Sequence, residues 1–334
     1  MAFSLSLKTH SLVVVVVIFH LFFISPCFCA RKLTSLYQPP PMALTYHNGA
    51  LLEGHLPVSI LWYGQFSPAQ KSIVADFLLS LDPHDQPENL SSKKPSASQW
   101  WKTIQTYLKK AGKREIQIEL SNQISDESCS MGKTLKKSQI SELARALSSK
   151  SSGLTLVLTA KDVAVEGFCM SNCGFHGSDA RKRSAFIWVG NSETQCPGQC
   201  AWPFHQPIYG PQTTPLIAPN GDVGLDGMVE NIATLLAGTV TNPFGNGYFQ
   251  GSAEAPLEVA SACPGIYGKG AYPGYAGELL VDSSTGASYN ALGVNSRKYL
   301  LPAVLDPSTS QCSTVVWQGW LLVDCTCMHI LISS

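Results

Sequence analysis

Apolar positions follow two periods along the first half of the chain. Val58-Ser59-Ile60-Leu61-Trp62-Tyr63 is a short, nearly continuous apolar run closed by Gly64, and it predicts a buried strand. Ser67-Pro68-Ala69-Gln70 follows with the makings of a helix start. Ser67 is placed to cap, Pro68 suits the first helical position, and Gln70 can reach back. Ile73, Val74, Phe77, Leu78 and Leu81 then recur at helical spacing. Ser96 and Gln99 repeat the capping device ahead of Trp100, Ile104, Tyr107 and Leu108, and Gly112 is a stop. The Trp100-Trp101 pair belongs to a core face at this spacing, with a sugar-stacking platform as the alternative. Ile116 to Leu120 alternates as a strand does, and Ile140, Leu143, Ala144 and Leu147 mark another helix. Leu154 to Leu158 and Ala185 to Val189 predict two further buried strands.

The second half has a different pattern. Gly227 to Val240 predicts a helix capped by Asp226, with Met228, Ile232, Leu235, Leu236 and Thr239 on one side. Beyond Pro243 no period survives, because glycines interleave with Tyr248, Phe249, Tyr267, Tyr272 and Tyr275. Such composition gives turns and close backbone approaches instead of long elements. The expected architecture is α/β or α+β, a single layered domain with a glycine- and aromatic-rich, disulfide-supported second half. The aromatic rings from Tyr248 to Tyr275, carried on glycine turns, are the expected binding surface.

Composition narrows the function classes. Of 334 residues, 45% are hydrophobic and only 14% charged, and 23 Lys+Arg balance 23 Asp+Glu. A neutral chain has no long-range field to gather phosphate backbone or an anionic membrane, so nucleic acid is not an expected partner. Arg181-Lys182-Arg183 reads as a solvated loop. The first residues carry Lys8 and His10, an apolar run from Leu12 to Ile24, and small residues at Ser25, Cys27, Cys29 and Ala30. This is the pattern of a secretory signal peptide, expected to span residues 1–29. The run falls short of the roughly 20 residues a membrane span needs. Arg31 to Met42, with Pro39-Pro40-Pro41, is an extended lead-in. Secretion makes Asn89-Leu90-Ser91 a glycosylation sequon at Asn89 and favours disulfides among the 11 cysteines.

Several long strings then carry a resemblance. Tyr46-His47-Asn48-Gly49, Ile60 to Phe66, Gly190 to His205, Ala237 to Phe249 and Ala262 to Gly274 resemble the EXORDIUM / phosphate-induced protein family. The match runs from about Leu44 to Val316, so residues 30–316 are read as the family domain and 317–334 as an atypical tail. The resemblance implies a plant protein of the apoplast and cell wall that promotes cell expansion and growth, in some members linked to brassinosteroid or to nutrient status. It implies no established reaction and no cofactor. The expected partner is a cell-wall polysaccharide or an extracellular protein receptor. Set against the family pattern, Cys129 and the tail cysteines are extra, which leaves Cys169, Cys173, Cys196, Cys200, Cys263 and Cys312 as the disulfide set, with connectivity open.

Three catalytic or metal readings compete with that picture. Cys169, Cys173, Cys196 and Cys200, with His176 and His205 close by, could ligate zinc, although an oxidising compartment favours bridges. Counting back from Thr241-Asn242-Pro243, Thr234 and Leu235 stand where some secreted zinc peptidase-like proteins carry His and Glu, so the helix is read as a zincin-like frame without metal. Asp226 and Glu230, a helical turn apart, together with His205 form the residues of an alternative wall-modifying hydrolase. That alternative requires the three side chains to converge in one pocket.

Overall fold

A mixed five-stranded sheet organises the first half of the domain. In the computed structural model, residues 42–82, 95–148, 153–170, 172–179 and 184–316 are described. The expected signal peptide, the Asn89 sequon, the Arg181-Lys182-Arg183 run and the tail lie outside the described residues. The sheet strands are β1 (Gly54–Tyr63), β2 (Ile116–Asp126), β3 (Leu154–Thr159), β4 (Gly174–Asp179) and β5 (Ser184–Gly190), in the spatial order β2-β1-β3-β5-β4. All neighbours are parallel except β4, which runs antiparallel along β5 as an edge. β3 is buried at every residue, as expected of a central parallel strand covered on both faces. β4, Gly-Phe-His-Gly-Ser-Asp, has no apolar alternation to announce a strand; it pairs along β5 in a register from Gly174–Val189 to Asp179–Ser184.

The helices follow their sequence signals closely. α1 (Pro68–Leu79) opens with the full capping box: Gln70 N–H donates to Ser67 Oγ at 3.2 Å, and Ser67 N–H to Gln70 Oε1 at 3.0 Å. α2 (Ala97–Lys110) is capped by Ser96 and ends before Gly112, whose φ of +67° is the left-handed stop. Both tryptophans of α2 are buried, and the Trp100 indole donates to the Pro302 carbonyl at 2.8 Å. The pair is core, and the sugar-platform alternative is discarded. α3 (Lys137–Ser148) covers β3, and α4 (Val223–Thr241) packs on β5 and β4.

α4 begins earlier than its pattern predicted. Asp222, not Asp226, is the cap: its Oδ1 accepts the Leu225 N–H at 2.9 Å, and Asp226 falls inside the first turn. Ile232 and Leu236 are fully buried and Met228 nearly so, whereas Leu235 is half-buried against β4. The second half wraps this layered core with short ladders and turns. Contacts of Arg297 and Asn242 help to fasten it. Arg297 donates to Asp76 on α1 at 2.9 Å and to Ser72 at 2.7 Å. Asn242, of the Thr-Asn-Pro turn, donates to Glu258 at 2.7 Å and accepts the Gly247 N–H at 2.8 Å.

Three disulfides hold the loops. Cys169 pairs with Cys196, Cys173 with Cys200, and Cys263 with Cys312. The first two bridges lie side by side and tie the segment before β4 to the segment after β5, across an edge strand with little apolar burial of its own. Cys129 is buried and unpaired.

Candidate functional site

Loops on the outside of the second half build an aromatic groove of about 470 Å³. The rings of Trp202, Tyr209 and Tyr272 line it, with Pro207, Pro211, Pro264 and Pro273 between them and Ile266 beside Gly265. Tyr209 is 88% exposed and Tyr272 63% exposed, so two large aromatic rings stand largely in water. Isolated exposed apolar side chains are ordinary; rings gathered along one concave surface indicate binding.

The groove is pre-formed by its backbone. Tyr272 and Tyr275 exchange both N–H to C=O bonds, at 3.1 and 2.8 Å, and their rings lie 5.1 Å apart. Gly274, at φ +91°, brings that hairpin against the opposite wall, where a Cβ would stand 2.7 Å from Pro211. Thr213 ties the two walls by donating to the Gly274 carbonyl at 3.2 Å. Gln212 braces the near wall by donating to the Pro207 and Gly210 carbonyls.

Beneath the groove lies a buried acid pair. Asp226 and Glu230 sit one turn apart on α4 and are 2% and 5% exposed. Asn220 donates twice to Asp226, from its backbone N–H at 2.8 Å and from its side chain at 2.6 Å. Burial nevertheless dominates and pushes the Asp226 carboxyl up to about 7. Glu230 is pushed well above its usual range, first by burial and then by the Asp226 charge. Its Oε1 has no partner among the described residues, and its carboxyl meets the Tyr267 hydroxyl. That hydroxyl donates to the Trp202 carbonyl at 3.4 Å, and the two rings pack 5.9 Å apart. A chain of polar contacts thus runs from the interior of α4 to the residue that anchors the groove.

The expected site residues divide accordingly. Tyr272 and Tyr275 are exposed, and Tyr272 lines the groove. Tyr248, Phe249 and Tyr267 are buried, which corrects their assignment to a binding surface. Tyr248 stacks on Tyr46 at 4.7 Å and Phe249 on His47 at 3.9 Å, because their short strand pairs with Thr45–Tyr46 and turns those rings inward. Trp202 and Tyr209 belong to the site but lie upstream of the segment singled out, in a proline-rich stretch without a helical or strand period.

The hydrolase triad does not assemble. His205 is exposed and its Nδ1 contacts the Gln206 carbonyl at 3.0 Å, while Asp226 and Glu230 are closed inside. The four clustered cysteines are all consumed in bridges, so none is a thiolate for zinc. His176 instead contacts both oxygens of Glu258, at 3.1 and 3.0 Å, and fastens β4 to the glycine-rich segment. In the zincin-like frame, Thr234 donates to the Glu230 carbonyl and Leu235 packs over Gly174. Among the described residues no group of three or more His, Cys, Asp or Glu could hold a metal ion.

Comparison with known proteins places the whole domain. The Phosphate-induced protein 1 conserved region matches residues 44–315. Protein PHOSPHATE-INDUCED 1 of Nicotiana tabacum is 57% identical over 303 residues, covering 88% of this chain and 95% of that protein. Protein EXORDIUM of Arabidopsis thaliana is 55% identical, covering 86% of this chain and 94% of its own. Protein EXORDIUM-like 6 of Arabidopsis thaliana is 32% identical, covering 78% and 89%. No solved structure matches. With the matched region spanning the sheet, α4, the three bridges and the aromatic groove together, the chain belongs to the EXORDIUM / phosphate-induced protein family.

Proposed function

We propose that this is a secreted protein of the apoplast and cell wall that promotes cell expansion by binding an extracellular ligand, a wall component or a receptor, at the aromatic groove. The observation that carries the reading is the exposure of Tyr209 and Tyr272 along one pre-formed concave surface. Three disulfides suit an oxidising compartment, and among the described residues no helix is long and apolar enough to cross a membrane. The family resemblance supports the link to growth, with brassinosteroid or nutrient status upstream. Binding instead of catalysis is favoured because the two acids pushed far above their usual range among the described residues, Asp226 and Glu230, are closed off from the groove and from His205.

Retention on wall material tests this. Purified secreted chain is mixed with a washed cell-wall fraction and the unbound protein is measured. The wild type should be depleted, and a Tyr209→Ala/Tyr272→Ala variant with an unchanged melting curve should stay in solution. Equal retention of the two would remove the groove from the function.

A further inference from the structure

Resting on the groove as the binding surface, we propose that its ligand is an uncharged proline-rich peptide segment in the polyproline II conformation. The chemistry of the lining argues for this. No lining side chain is charged, so the site offers nothing to a polyanion or to a phosphate and matches a ligand without charge. Among the described residues that line it, the side-chain polar atoms are only the Trp202 indole N–H and the Tyr209 and Tyr272 hydroxyls.

Those groups suit one backbone in particular. A polyproline II chain has no internal hydrogen bonds, and its prolines present carbonyl acceptors with no N–H to satisfy. An indole N–H and phenol hydroxyls at the edges of flat rings can each donate to such a carbonyl, while pyrrolidine rings settle between the aromatic faces. A sugar chain of comparable length presents many hydroxyls that both donate and accept. The lining holds no Asn, Asp, Gln, Glu or Arg side chain to pair with them.

The entropy also favours this ligand. Both partners are stiff beforehand: the ligand because proline fixes φ, and the groove because the Tyr272–Tyr275 hairpin, the Gly274–Pro211 contact and the Thr213 and Gln212 bonds set its walls.

The test uses the full secreted chain and fluorescein-labelled decaproline, read by fluorescence anisotropy, with a neutral β-glucan oligosaccharide in a parallel arm. Saturable decaproline binding is expected. It should weaken by roughly tenfold in Tyr209→Ala/Tyr272→Ala, whose two exposed rings carry no core packing, and also in Trp202→Ala. Because Trp202→Ala removes a ring packed on Tyr267, the double tyrosine variant decides if Trp202→Ala does not fold. Absent decaproline binding, or binding unchanged in the double variant, overturns the proposal. Oligosaccharide binding lost in the same variant would overturn the peptide while keeping the groove as the binding surface. Reversible self-association abolished by Tyr272→Ala, with no peptide binding, would assign the groove to a second copy of this chain and overturn the proposal. Loss of wall retention in the variants without decaproline binding likewise overturns only the ligand class.

Discussion

Replacing Asp226 with Asn should make the protein's stability less dependent on pH between about 4 and 7. Asp226 is protonated more readily in the folded chain than in the unfolded one, since its carboxyl is pushed from 3.8 up to about 7 by burial. Below pH 3.8 both states hold the proton, and the acid adds no pH dependence. As pH rises, the unfolded chain releases its proton first, so stability falls until the folded carboxyl ionises as well, near pH 7. Above that pH the full difference has been lost. At 1.36 kcal/mol per pH unit, the span corresponds to about 4 kcal/mol. Glu230 adds loss in the same direction and extends it to higher pH. Asp126 and Asp162 are held below their usual range by their hydrogen-bond partners and act in the opposite direction at more acid pH. The wild-type curve alone therefore mixes signals; the difference between wild type and variant removes the Asp126 and Asp162 contributions and reports Asp226 together with the part of the Glu230 shift that the Asp226 charge causes. The substitution sacrifices one of the two Asn220 bonds, at roughly 1–2 kcal/mol. The variant should be less stable than wild type at pH 4 and more stable at pH 8, with a crossing between. Urea unfolding followed by tryptophan fluorescence, every half pH unit, gives both curves. Parallel curves, or a variant less stable at every pH, would show that Asp226 ionises freely and that its burial has been misread.

Other parts of the fold give four further outcomes. Alkylation without reduction, read by mass spectrometry, should label Cys129 only after unfolding and should leave all six bridge cysteines unlabelled; a paired Cys263→Ser/Cys312→Ser change should lower stability by roughly 2–4 kcal/mol in thermal melts. Gly238→Ala should destabilise by about 1–3 kcal/mol in urea titration, because a Cβ would stand 2.2 Å from the Glu258 carboxylate that His176 and Asn242 hold in place; a neutral result would show that Glu258 moves freely. Leu235→Glu should lower stability by about 1–3 kcal/mol, since the side chain covers Gly174 of β4 half out of solvent, and a change under 0.5 kcal/mol would mean that the contact contributes nothing.

Much of the first half could be read directly from the residues. Ser67-Pro68-Ala69-Gln70 specifies a capping box whose partners are all within four residues, and the structure forms it. The α2 face of Trp100, Ile104, Tyr107 and Leu108, and the fully apolar β3, announce burial through period alone. The membership of the bridge set came from the resemblance to the family, and the pairing from neither the residues nor the resemblance. Each bridge closes residues 27 or 49 positions apart, and which sulfurs meet depends on how β4 and β5 lie. β4 itself has no local signal, because an edge strand takes its conformation from the hydrogen bonds of its neighbour. The aromatic segment shows the same limit. Tyr248 and Tyr272 sit in similar glycine-rich strings, yet one pairs inward against Tyr46 and the other stands 63% exposed beside Pro211 and Trp202. Glycine turns leave the direction of each ring undetermined locally, so the exposed surface is chosen by long-range strand pairing. Periodicity and capping chemistry act over a few residues and are written in the sequence; the groove and the buried acid pair depend on contacts between distant segments, which only the tertiary structure brings together.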